Sequence, residues 1–429
     1  MKQFYYRTKS FFNTIESKIA FYPTLLTFCG VLFAIIMMLM ENRGISRYLV
    51  DHAPILVVNN GDTAKTILSS FISGLISVVV FSFSMVMLLL SQASNNYSPR
   101  LLPGLISDKK HQLILGIYLF TILYCIFILF TIQPTGNKYQ VPGFSVLLGI
   151  IFTVISIYAF IYFIHHISQS IQISNILQGI FKTAEVSLKE LVDDEEKVVE
   201  NFETSEKWHE YHTETSGYLQ NVSFTNLVNI CEKEDTLLHI LPVKGIFVLK
   251  GIPIFKSKKR LDEKTVKIIL SNFNFSREEL VSDNYTLAFK QITEIIVKAM
   301  SPGINDPGTA INGIDYLTEL LSLRMQKKDS SVIRRDKKLY IKMSVVTFEE
   351  LLYNIMASIR TYCKHDIILV QKLLLMFHYL LKQEPKDDNY TRTIKKEATN
   401  LLKDAKEAIA NEGDVEKANN MAEKLNLFL

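Results

Sequence analysis

The strongest constraint on this 429-residue chain is a set of four long apolar runs in its first 165 positions. They span roughly Phe21 to Met40, Ile67 to Leu90, Leu113 to Ile132 and Phe144 to Ile164. A bilayer's hydrocarbon core takes about 20 helical residues to cross, so each run is long enough to span it. The first run is followed by no small-residue cleavage site, which argues for a retained anchor. A composition of 48% hydrophobic residues agrees with a membrane portion.

Basic residues near the spans set an expected orientation, because Lys and Arg stay on the cytoplasmic side. Lys2, Arg7, Lys9 and Lys18 precede the first span, and Arg100, Lys109 and Lys110 lie between the second and third. The opposite side carries Arg43, Arg47 and Lys138. Both termini are therefore expected in the cytoplasm, with the protein multi-pass in the cell inner membrane. The net charge of +4, from 47 basic and 43 acidic residues, gives no ground for a nucleic-acid partner. The four cysteines lack a CxxC spacing and read as isolated reduced thiols.

The second span, "TILSSFISGLISVVVFSFSMVMLLLS", is rich in hydroxyls. At 100° per residue, Thr66, Ser70, Ser73, Ser77, Ser84 and Ser91 fall within an arc of about 60°. Such a face either packs closely on a neighbouring helix or lines a path for water or ions. No Asp, Glu, Lys or Arg lies in the middle of any span, which disfavours a charge-relay transporter. His165 and His166 end the fourth span; adjacent on a helix, they point in different directions, which argues against a shared metal, and interfacial anchoring is favoured over pH sensing.

The expected fold is an α-helical membrane protein with four transmembrane helices and a cytoplasmic mixed α/β and helical domain. The pattern divides it into a four-helix transmembrane domain (1–168), a helical stalk continuing span four (169–200), a small barrel-like α/β unit (201–275) and a helical domain (276–429). "SREE" at Ser276 to Glu279 fits a capping box, as do Thr347 and Glu350. Asp366 to Leu381 is strongly apolar but interrupted by Lys372, and reads as a buried bundle helix.

Two strings stand out. "YSPRLLPGLISD" follows span two and opens with Tyr97, Ser98, Pro99 and Arg100, an interfacial turn. "AMSPGINDPGTA" lies between two amphipathic helices and contains Ser301, Pro302, Gly303, Asn305, Asp306 and Pro307. With a "GYLQ" strand and a "KGIFVLKGIPI" segment, these strings resemble, in order, the bacterial membrane proteins grouped as domain of unknown function family 2254. This chain has Ser282-Asp283 where those proteins tend to have Gln-Asp. The resemblance implies the topology and no biochemical activity.

Pro302 is expected to close the first helix of the corner, and Asp306 to cap the second with Pro307 at its first position. No capping rule requires Asn305. Asp283, Asn305 and Asp306 are candidate oxygen ligands for a cation, and the loop is a candidate contact for a neighbouring subunit. Ser301 has no local base, and no hydrolase, zinc or nucleotide string appears, so an enzyme is disfavoured; metal and cofactor stay unknown. The leading expectation is a homo-oligomeric, channel-like assembly in the lipid bilayer. Its alternatives are a membrane-anchored sensor or scaffold that binds a partner, ion or small ligand, and a membrane enzyme.

Overall fold

The structure is a computed structural model that describes residues 21–52, 57–58, 60–96, 109–132, 141–170, 172–195, 202–277, 284–329, 331–336 and 338–427. Tyr97, Ser98, Pro99, Arg100 and Asp283 lie outside the described residues. The chain divides into two compact units, Met1–Asn175 and Ile176–Leu429.

The first unit holds α1 (Phe21–Asn42), α2 (Ile45–His52), α3 (Gly61–Asn96), α4 (Lys109–Thr131) and α5 (Gly143–Ser170). Four of these are long and apolar enough to cross a membrane: α1, α3 over Gly61–Gln92, α4 and α5. Glycines let α1 and α4 meet closely. A Cβ on Gly30 would stand 2.8 Å from the Phe120 carbonyl oxygen, and one on Gly116 would stand 2.4 Å from Leu26. Small residues at such crossings maximise dispersion contact, the main attraction between helices in lipid. Ala34, Leu68, Tyr124, Cys125, Ile128 and Val146 form the core beside this contact.

Glu41, near the end of α1, ties the start of α5. One carboxylate oxygen accepts the Ser145 amide (2.9 Å) and hydroxyl (2.7 Å), and the other accepts the Ser46 hydroxyl (2.6 Å). Ser46 in turn receives the Phe144 amide at 3.0 Å. A carboxylate there meets the unsatisfied amides and positive pole of a helix N-terminus. At the start of α3 the Asn60 side chain accepts the amides of Asp62 and Thr63, both at 2.9 Å. After α5 ends at Ser170, a separate helix, α6 (Ile173–Glu195), begins, so the chain beyond span four is not one uninterrupted helix.

The second unit contains strands β1 (His209–His212), β2 (Gly217–Val222), β3 (Leu238–Ile240), β4 (Phe247–Val248), β5 (Pro253–Ser257) and β6 (Phe273–Ser276), with α7 (Phe224–Glu234) and α8 (Glu263–Leu270). Helices α9 (Tyr285–Ala299) and α10 (Pro307–Met325) follow, then strands β7 (Ser331–Arg335) and β8 (Lys338–Met343). Helices α11 (Phe348–Cys363), α12 (Ile367–Leu381), α13 (Asn389–Ala408) and α14 (Glu412–Lys424) complete it. A five-stranded sheet runs β1-β5-β3-β8-β7, and a three-stranded sheet runs β4-β2-β6. The late hairpin β7–β8 interrupts the helical half and joins the early strands through a parallel β3–β8 pairing. The α/β part is thus completed by residues from 331–343, within the stretch expected as the helical domain.

Helix α12 buries Leu369, Val370, Leu373, Leu374, Phe377 and Leu380, as its apolar run leads one to expect. Lys372 reaches outward to Asp315 at 2.6 Å. Arg324, fully buried, ties several elements: it donates to the Tyr285 hydroxyl (3.2 Å), the Lys327 carbonyl (2.8 Å), the Val346 carbonyl (2.9 Å) and the Asp329 carboxylate. Between α11 and α13, Arg360 lies 3.6 Å from the buried Glu397 and 3.3 Å from Asp404.

Burial raises the Glu397 carboxyl above its ordinary value, with Arg360 opposing the shift. A carboxyl raised in the native state favours folding below its unfolded value near 4.5, and that contribution is lost as pH rises through the native value. Arg360→Ala, which strands the carboxylate, is expected to cost about 3 kcal/mol or more. Glu397→Gln keeps an acceptor for Asn400 and is expected to leave the thermal midpoint at pH 7 equal or higher. Thermal unfolding of the full chain in detergent micelles at pH 5 and pH 7 checks both.

Candidate functional site

The hydroxyl face of α3 is the first candidate. Thr66, Ser70, Ser73, Ser77, Ser84 and Ser91 are all exposed. The helix packs on its own unit through Ala64, Leu68, Leu75 and Ser82, which are buried. At 100° per residue those four lie about 160–200° around the helix from Thr66, on the side opposite the hydroxyls. The stripe is therefore the outward face of the most exposed span. Three of its hydroxyls are satisfied within the helix: Thr66 donates to the Asp62 carbonyl (2.8 Å), Ser77 to Ser73 (3.1 Å) and Ser84 to Val80 (2.9 Å). Each proton points back to the backbone, which leaves the oxygen lone pairs facing outward. With Gly74, which has nothing within 4 Å of a notional Cβ, the upper part of this face is small and accessible.

The corner of the second unit is the other candidate. Met300 ends α9, and the Asp306 amide returns to the Ala299 carbonyl at 2.8 Å. The Ser301 carbonyl accepts the amides of Ile304 and Asn305, both at 3.0 Å, and the Ser301 hydroxyl donates to Lys298 at 2.7 Å. Ser301 is thus a turn residue. Asp306 caps α10 as expected, accepting the Thr309 amide (3.1 Å) and hydroxyl (2.6 Å), with Pro307 starting the helix. These bonds from Thr309 hold the Asp306 carboxyl below the ordinary value.

Asn305 has a φ of +48°, in the left-handed region where asparagine is the best tolerated residue after glycine. Its presence has this backbone reason, which no capping rule in the sequence revealed. Gly313, further along α10, is needed for close approach, since a Cβ there would meet Ile296 at 2.5 Å. Gly303, by contrast, has open space around it. Pro302 through Gly308 are exposed, so the corner forms an outer edge of its unit. Asn305 and Asp306 are neighbours there, while Asp283 falls outside the described residues. Among the described residues no group of three or more His, Cys, Asp or Glu side chains is placed to hold a metal.

The structure also brings together a pair that sequence spacing hid. His166 on α5 stands against His111 on α4, ring centroids 5.1 Å apart, with Phe163 5.8 Å from His111. Of the adjacent pair His165-His166, it is His166 that has ring neighbours, Tyr162 one turn earlier on α5 and His111 on α4.

For the corner, Asn305→Val is expected to destabilise the full chain by roughly 1–2 kcal/mol, because a β-branched residue resists positive φ. Asn305→Gly is expected to be close to neutral. Asp306→Ala should cost about 1 kcal/mol through loss of the cap. Thermal unfolding in micelles measures all three, and equal midpoints for Asn305→Val and Asn305→Gly would refute the backbone explanation.

Comparison with known proteins agrees with the membrane architecture. An uncharacterized protein of Mycobacterium bovis and one of Mycobacterium tuberculosis are each 24% identical over 325 residues, covering 72% of this chain. The matched region spans only 62% of the length of those relatives. No solved structure matches. A family model described as "Predicted membrane protein (DUF2254)" matches residues 16–379. With four apolar helices of spanning length and that match over most of its length, the chain belongs to the domain of unknown function 2254 family of predicted membrane proteins.

Proposed function

We propose that the protein is a homo-oligomeric, channel-like assembly of the inner membrane, in which the hydroxyl face of α3 turns toward an axis shared by several copies and lines a hydrated path. One observation carries this reading: all six hydroxyl residues are exposed on the side of α3 opposite its packed side. A face with oxygen lone pairs directed outward suits water and cations, whereas lipid tails offer it nothing. The basic flanks support placing the second unit in the cytoplasm, where it would gate or scaffold the spans. The exposed edge Pro302–Gly308 favours a second reading, a membrane-anchored sensor or scaffold whose corner meets a partner.

Ion flux separates the two. Protein reconstituted in liposomes is expected to release a trapped cation, Ser77→Leu to reduce that release at least tenfold, and Ser77→Ala to retain most of it. Absence of flux from the wild type, or unchanged flux in Ser77→Leu, rejects the hydroxyl-lined path.

A further inference from the structure

A row of charged groups crosses the five-stranded sheet of the second unit. Glu210 pairs in register with Lys256, Lys256 with His239, and His239 with Lys342. Register partners project from the same face of a sheet, and adjacent strands lie about 4.8 Å apart. Leu238 and Ile240, on either side of His239, are fully buried in the core, so the row occupies the opposite face. An imidazole is thereby flanked on both sides by ammonium groups. The two lysines stand on β5 and β8, on either side of β3, so the row gathers two cations around one ring. Lys256 binds Glu210 at 2.8 Å, while among the described residues no carboxylate pairs with Lys342.

Both nitrogens of His239 are engaged by hydroxyls. The Ser205 oxygen lies 2.5 Å from Nδ1, and the Ser344 oxygen lies 3.3 Å from Nε2. Burial, then Lys342 and Lys256, push the imidazole down to about 4, so it is neutral at physiological pH. So weak a base is poorly matched to activating Ser205, which argues against a nucleophilic role for the pair. A neutral imidazole donates from one nitrogen and accepts at the other, so its N–H and one serine proton are spent within these contacts. The cluster still offers two ammonium groups and one serine hydroxyl, donors suited to an anion.

We infer that Ser205, His239, Lys256, Lys342 and Ser344 form a binding site for a phosphate-class oxyanion, which supplies the negative charge that this row lacks. The phosphate belongs either to a free solute or to a lipid headgroup, and the chemistry of recognition is shared. This site is separate from the hydroxyl face of α3, so either reading can fail alone.

The protein carries its own reporter. Its single tryptophan, Trp208, donates its amide to the Ser205 carbonyl at 3.3 Å. The full chain in detergent micelles is titrated with inorganic phosphate at constant ionic strength against chloride, following Trp208 emission. In parallel, the chain in nanodiscs of phosphatidylcholine is compared with the chain in nanodiscs containing phosphatidic acid. A saturable response to phosphate in micelles assigns a free solute, and a response to phosphatidic acid alone assigns a headgroup; each supports the site. Lys342→Met is expected to weaken the response roughly tenfold. Lys342→Arg should retain it, as should Lys403→Met on the exposed face of α13. No response in either arm, a chloride response equal to that of phosphate, or an unaltered response in Lys342→Met overturns the proposal.

Discussion

Hydrocarbon offers no hydrogen bonds, and that single constraint organises the first half of this protein. Beyond the first turn of each span, backbone amides must find their partners inside their own helix, which is why the apolar runs are helical. The same rule binds the side chains. Thr66, Ser77 and Ser84 on α3, and Thr121, Thr153 and Ser156 in the packed interior, all return their protons to a carbonyl of the preceding turn. In the interior the arrangement goes further, since the Thr121 and Ser156 oxygens stand 3.1 Å apart across α4 and α5. On α3 the six hydroxyls of the stripe have no such neighbour among the described residues and face outward. That difference separates polar groups used to pack this unit from polar groups left for something beyond it.

Where the membrane helices do need a fixed geometry, the protein supplies it with glycine and one carboxylate. Gly30 and Gly116 set the distance between α1 and α4, and Glu41 ties the end of α1 to the amides that open α5. The second unit fixes its geometry by strand pairing and a buried cation. Its sheet closes only when β8 arrives beside β3, about a hundred residues later, so the early strands depend on the late hairpin for their edge. Arg324 then links α9, α10 and the segments flanking that hairpin through bonds that leave its charge fully engaged. The corner at Asn305 and Asp306 fixes how α9 turns into α10, and Gly313 lets the two meet.

Much of this was legible in the residues. The four spans followed from apolar length, and the caps at Asp306 and Thr347 followed from residue type and spacing. Other features were not, for physical reasons. The hairpin "SVIRRDKKLYIKM" is charged and short, and its apolar residues acquire a buried side only against β3, so local pattern carries little of its signal. Asn305 is explained by a backbone angle that no side-chain rule encodes. His111 and His166 are 55 positions apart, and the row from Glu210 to Lys342 spans four strands; such groupings exist only once the chain is folded. For the stripe on α3, sequence placed the hydroxyls on one arc but could not say whether that arc faced inward. The packing of Ala64, Leu68 and Leu75 answers that it faces outward.

Whether copies of the chain meet along this face is tested most directly by disulfide crosslinking in native membranes. Cys29, the exposed native thiol, is first replaced by serine; Cys125, Cys231 and Cys363 are buried. Single cysteines then replace Ser73 on the hydroxyl face and Ile157 on an exposed apolar face of α5. Mild oxidation is expected to give covalent dimers from Ser73→Cys and monomers from Ile157→Cys. Monomers from Ser73→Cys, or equal crosslinking at the two positions, would contradict an assembly built around α3.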